Sequence, residues 1–150
     1  MMRIANPWLL GAAWTSIAAS ILHIGVIVGG PDWYRFFGAG EEMARAAERG
    51  SLVPTIVTLV IAAILAAWAA FALGAVGVTR RLPLTRTALV AISAVLLARV
   101  ALAFVPSAWA PEQSVAFIFW SSAACFVMGA SFAVGTWLAW PQLRTKRIEA

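Results

Sequence analysis

The chain has 150 residues, 63% of them hydrophobic and 11% charged, with a mean hydropathy of +0.90. Soluble domains carry about 25% charged residues and could not cover so apolar a composition with polar surface, so the composition describes one integral membrane domain, residues 1–150. The net charge of +5 would raise nucleic acid as a partner for a soluble chain. Here the basic residues flank apolar runs, where membrane topology and anionic headgroups account for them, and no nucleic-acid partner is implied.

Four apolar runs are long enough, or nearly so, to cross a bilayer as helices, at about 18 residues or more each. The first extends from about Trp8 to Val28. It is too long for a signal-peptide core and has only Arg3 before it, so it reads as an uncleaved span. The others extend from about Leu52 to Val78, Thr87 to Val105 and Ser114 to Trp140. A spanning segment must satisfy its own backbone hydrogen bonds, and these runs lack the period-two alternation of barrel strands. The fold class expected is an all-α integral membrane protein: a four-transmembrane-helix bundle with a short interfacial helix in the first outer loop.

That loop, residues 29–51, holds four of the six acidic residues. Pro31-Asp32 reads as a turn with Asp32 capping the residues after it, and Trp33, Tyr34, Phe36 and Phe37 suit a headgroup region. From Glu41 to Arg49 the sequence reads as a helix, with acids in its first turn, an i,i+4 pair of Glu41 and Arg45, and Gly50 as its stop. The basic residues orient the chain. Seven of them (Arg3, Arg80, Arg81, Arg86, Arg144, Lys146 and Arg147) fall on one side and three (Arg35, Arg45 and Arg49) on the other. This predicts both termini in the cytoplasm of a bacterial inner membrane and the long loop outside.

Several spans show a small or polar face. Thr58, Ala62, Ala66, Ala70 and Gly74 recur every fourth residue, a spacing that suits close helix approach. Ser16, Ser20 and His23 share a face of the first span, and Ser121, Ser122, Cys125 and Gly129 share one of the fourth. Helix packing alone accounts for such faces. Arg99 is the sharpest anomaly, because a charge at mid-bilayer costs about 2.5–3.5 kcal/mol and no span contains a carboxylate. His23, Thr58, Arg99 and Trp120 fall at one level in the outer third, below Glu41 and Glu42. The expected site is an outer-half pocket lined by His23, Trp33, Tyr34, Arg35, Glu41, Glu42, Thr58, Arg99 and Trp120, with Arg99 bonded to Glu41 or Glu42 directly or through water. The alternatives are a neutral His23 bonded to a nearby carbonyl or hydroxyl, a snorkelling Arg99, and acids that serve only the helix start.

Chemical motifs are sparse. There is no GxSxG, Walker, HExxH or GxGxxG pattern. The single Cys125 excludes an internal disulfide, and one histidine without a spaced partner does not make a metal site. No cofactor is indicated. No carboxylate lies within a span, which argues against proton-coupled export.

PDWYRFFGAGEEMA, followed by a second span and RRLPLTRTALVAISAVLLAR, resembles a group of small four-span bacterial membrane proteins without assigned function. The matching features run from His23 to about Arg99. A more distant likeness to DoxX-type four-helix membrane proteins rests on span count. Neither resemblance implies a reaction. The leading functional expectation is a small inner-membrane binding or accessory protein that holds an amphiphilic molecule or docks to a larger membrane complex. The alternatives are a membrane enzyme acting on a lipid or quinone-like substrate through Glu41 or Glu42, Arg99 and His23, and a purely structural subunit. Expected partners are membrane lipid and a larger complex or a second copy of the chain.

Overall fold

The computed structural model describes residues 6–105, 108–109 and 113–144. The elements are α1 (Pro7–Gly29), α2 (Pro31–Phe36), α3 (Glu41–Glu48), α4 (Val53–Ala75), α5 (Thr85–Ala101) with a 3-10 turn (Leu102–Phe104), and α6 (Val115–Arg144). Four of these helices, α1, α4, α5 with its 3-10 turn, and α6, are long and apolar enough to cross a membrane. They form an all-α four-helix bundle. α1 packs on α4 and α6, α5 packs on α6, and α4 meets α5 more sparingly, while α1 and α5 stand on opposite corners. One end, the roof end, carries α2 and α3. The other, the basic end, carries Arg80, Arg81 and Arg86.

Local chemistry sets the element boundaries. Asn6 caps α1, accepting from the Leu9 amide at 3.1 Å, and Pro7 occupies the first helical position. The helices α2, α3 and α4 end alike, each with a positive-φ glycine just past the cap: Gly38, Gly50 and Gly77. In each the next residue's amide returns to the carbonyl five back, as Ala39 to Tyr34, Ser51 to Ala46 and Val78 to Leu73. This is a Schellman stop. It ends α4 three residues before Val78, where hydropathy alone placed the end of the span. α6 runs on through Pro141 to Arg144, past the expected end at Trp140.

The segment expected as a turn at Pro31-Asp32 is instead the helix α2. Pro31 starts it, and Asp32 sits in its first turn without capping it. The helix expected from Glu41 to Arg49 is present as Glu41–Glu48, with Arg49 as its C-cap.

Apolar packing is divided in two. The larger cluster fills the basic half, with Leu9, Ala12 and Ala13 of α1 against Leu65 and Ala72 of α4, Leu89, Ile92 and Leu96 of α5, and Met128 and Phe132 of α6. A smaller one, Val26, Tyr34 and Ala44, lies under the roof. Small residues let the helices approach. A Cβ on Gly129 would meet the Leu96 Cβ at 3.0 Å, and one on Gly135 would meet the Leu9 amide nitrogen at 2.9 Å.

The buried face of α4 corrects the every-fourth-residue stripe. Thr58, Ala62 and Gly74 are buried, but Ala66 is exposed and Ala70 only partly covered. The buried residues of α4 are Pro54, Thr58, Ala62, Leu65, Ala69, Ala72, Gly74 and Ala75, stepping by four and three as far as Ala72. A strict step of four drifts around a helix of 3.6 residues per turn, whereas alternating steps stay on one face.

Candidate functional site

The roof is held by charge. Arg35 donates from Nε to Glu41 at 2.9 Å and from Nη2 to Glu48 at 2.7 Å, and it reaches Asp32 at 3.4 Å. Arg45 donates to the same Glu41 at 3.0 Å. α2 and α3 are thereby clamped side by side, with Arg35 as the hub. The Arg35 hydrogen bond, then that of Arg45, holds the Glu41 carboxyl below its ordinary value of 4.5, and Glu41 and Glu48 in turn push Arg35 above its own ordinary value.

Because the folded Glu41 pKa is the lower one, its contribution to roof order is complete above about pH 4.5. It fades as pH falls through the folded value. Amide exchange over residues 31–51, corrected for intrinsic rates, should therefore show protection at neutral pH that is lost in acid. Protection unchanged down to about pH 3 would show that the clamp does not order the roof.

Apolar anchors seat the roof on the bundle. Tyr34 is 2% exposed and packs with Val26 and Ala44. The Thr58 hydroxyl donates to Tyr34 Oη at 3.4 Å. The Trp33 ring lies on α1 over Gly29, where any side chain would collide with it. Gly38 is similarly closed by the Phe117 ring of α6, and Gln113 donates to the Gly38 carbonyl at 3.2 Å. The roof thus touches α1, α4 and the start of α6.

Between the two apolar clusters lies the polar level. Ser20 donates across to the Ala62 carbonyl of α4 at 2.8 Å. His23 falls on the same face of α1 as buried Ala12 and Ser16 and is half-buried. Its Nδ1 lies 2.7 Å from the Ala19 carbonyl of its own helix. A carbonyl only accepts, so Nδ1 carries the proton there, leaving Nε2 as the ring's acceptor when neutral.

Arg99 corrects the expected pairing. Glu41 is committed to Arg35 and Arg45, and Glu42 is exposed and takes no part in the ion-pair network. Arg99 instead donates to the hydroxyls of Ser122 and Ser121, each at 3.2 Å, and its guanidinium lies 4.1 Å from the Trp109 ring centroid. Trp109 is in turn fixed by its indole N–H, which donates to the Leu102 carbonyl at 2.9 Å. The last turn of α5 also turns its negative dipole end toward the charge. Two hydroxyls, a π face and a helix terminus therefore solvate the cation without neutralising it. Glu112, between α5 and α6, lies outside the described residues.

α1 and α5, which carry His23 and Arg99, are diagonal in the bundle, and no hydrogen bond joins the two residues. Trp120 is turned outward. It is 71% exposed and stacks edge-on with Phe119, 5.2 Å between centroids, facing away from the bundle. The expected single pocket therefore separates into a clamp (Asp32, Arg35, Glu41, Arg45 and Glu48), a Tyr34–Thr58 contact, a lone His23 and an Arg99–Ser121–Ser122–Trp109 site. Trp109 is legible in the sequence only as an interfacial aromatic. Its role under Arg99 depends on how the 3-10 turn after α5 folds back. Among the described residues no group of three metal-ligating side chains comes together. No family model, curated protein or solved structure matches the chain.

Proposed function

We propose that the protein is a membrane-embedded binding or accessory protein that holds an anionic amphiphile at the Arg99 site. The observation that carries this reading is a cation solvated by Ser121, Ser122 and Trp109 with no carboxylate partner among the described residues. Exposed Phe104, Phe119 and Trp120 flank it on the same end of α5 and α6. A phosphate or carboxylate headgroup would complete the charge while its chains lie on these apolar faces. The enzymatic alternative is not favoured by the geometry. Glu41 is held ionised by two arginines, and Glu42 has no contact with Arg99 or His23.

The membrane proposed is a bacterial inner membrane, with the basic end and both termini cytoplasmic. The support is the basic turn opposite an acid-rich roof. Cysteines placed at Arg80 and at Glu48 should react with an impermeant reagent from opposite sides. Labelling of both from outside would reverse the assignment.

Native mass spectrometry tests the binding. The wild-type protein in mild detergent should retain an anionic amphiphile in preference to a zwitterionic one of equal chain length. Arg99→Gln keeps donors for the two serines but removes the charge. A charge-assisted hydrogen bond is worth about 1.5–3 kcal/mol, so retention should fall about tenfold or more. Equal retention by the variant would remove the site from consideration.

A further inference from the structure

A trough of about 390 Å³ runs along the seam between α5 and α6 in the basic half, far from Arg99, lined by Val90, Ser93, Ala133, Thr136, Trp137 and Trp140. It opens sideways, with Trp137 75% and Val90 46% exposed. Three observations give it chemistry. Its lining is largely apolar, as an acyl chain requires. Thr136 is 4% exposed, yet its hydroxyl oxygen is buried without a hydrogen-bond partner. Ser93 beside it is satisfied, donating to the Leu89 carbonyl at 2.8 Å. At the mouth, the Arg86 guanidinium carbon lies over the Trp140 ring, 3.3 Å from its centroid.

The ring positions the guanidinium but does not cancel its charge. All four described carboxylates, Asp32, Glu41, Glu42 and Glu48, belong to the roof at the opposite end. The basic end thus presents Arg80 and Arg86 with no described acid beside them.

The geometry points to a binding site for one anionic phospholipid of the leaflet at the basic end. Its phosphate sits on Arg86, and one acyl chain lies in the trough along Val90, Ala133 and Trp137. Thr136 is four residues, about 6 Å along the helix, deeper than Trp140. That depth suits the ester carbonyls a phospholipid carries below its phosphate, and a χ1 turn of Thr136 swings its hydroxyl to meet one. The charge selects a lipid over a second copy of the chain. A parallel copy would bring its own arginines to the same level and supply no described acid.

Photo-crosslinking tests the proposal on the full chain in nanodiscs. The probe is a phosphatidylglycerol with a diazirine in one acyl chain, beside a phosphatidylcholine analogue with the same chain. Adducts are mapped by peptide mass spectrometry. The phosphatidylglycerol probe should label residues 133–140, and unlabelled phosphatidylglycerol should compete about tenfold better than phosphatidylcholine. Arg86→Gln should reduce this labelling about tenfold at unchanged helix content, and Ala133→Phe, which fills the trough and leaves the charge alone, should do the same. Arg99→Gln should leave labelling of 133–140 intact, so failure at either end of the bundle is seen separately. Equal labelling by both probes, undiminished labelling of Arg86→Gln, or a stable dimer that covers residues 133–140 would each overturn it.

Discussion

Replacing Gly135 with valine is expected to separate α1 from α6 and to destabilise the bundle by about 2–5 kcal/mol, combining overpacking with a lost buried hydrogen bond. Even an alanine Cβ at this position would lie 2.7 Å from the Leu9 Cγ and 2.9 Å from the Leu9 amide nitrogen. A flexible side chain can yield, but the backbone of α1's first turn yields only if the helix moves. That turn is fixed to the same place by Asn6. Its Oδ1 caps Leu9 while its Nδ2 donates to the Gly135 carbonyl at 2.7 Å. Moving α1 to admit a side chain breaks this buried bond and strands both of its ends. Asn6→Ala removes the cap and the bond without the clash, and should cost about 1–2 kcal/mol. Both are measurable as shifts in denaturation in mixed micelles. A Gly135→Val protein as stable as wild type would show that the helices are not in contact there.

The four spans and the helical loop are legible in the sequence because the signals behind them are local. Spans follow from run length and hydropathy, and α3 follows from its acids, Arg45 and Gly50. Helix ends are less legible where a single glycine decides them. Gly77 stops α4 through its φ of +77°, although the residue after it, Val78, is as apolar as the span. α2 is hidden because Pro31-Asp32 serves equally as a turn or as a first helical turn. What decides between them is the seat that Trp33 finds on the glycine face of α1 and Tyr34 finds under the roof. No local pattern reports that fit.

The site is less legible than the fold, and Arg99 shows why. In sequence, a membrane-embedded cation calls for a carboxylate, and Glu41 and Glu42 stand in the loop above its level. Arg35 is nearer to Glu41 in both chain and space, and it presents a fork that binds Glu41 and Glu48 together. A carboxylate so engaged is not free for a distant arginine. Arg99, two residues from the end of α5, is served by neutral groups, the Ser121 and Ser122 hydroxyls and the Trp109 ring. Competition for partners is a property of the assembled structure. Charge counting alone cannot resolve it.

Phe132→Ala is expected to cost less than the same change in a soluble core, and the difference is itself informative. Phe132 is fully buried, at 0% exposure, within the cluster that includes Leu9, Leu89, Ile92 and Met128. In water-soluble proteins Phe→Ala costs about 3–5 kcal/mol, part of it the transfer of apolar surface to water and part the cavity left behind. Helices separated within a bilayer expose that surface to lipid tails, so the transfer part is largely absent and the loss of packing remains. About 1.5–3 kcal/mol is the expected loss, measured against helices dissociated in the membrane. Phe132→Leu, which keeps most of the volume, should stay below about 1.5 kcal/mol. Phe36→Ala, at a side chain 81% exposed, serves as the control and should change stability little. A full soluble-core penalty at Phe132 would mean that the separated helices leave the lipid. A negligible one would mean that the basic half of the bundle is not packed around this ring.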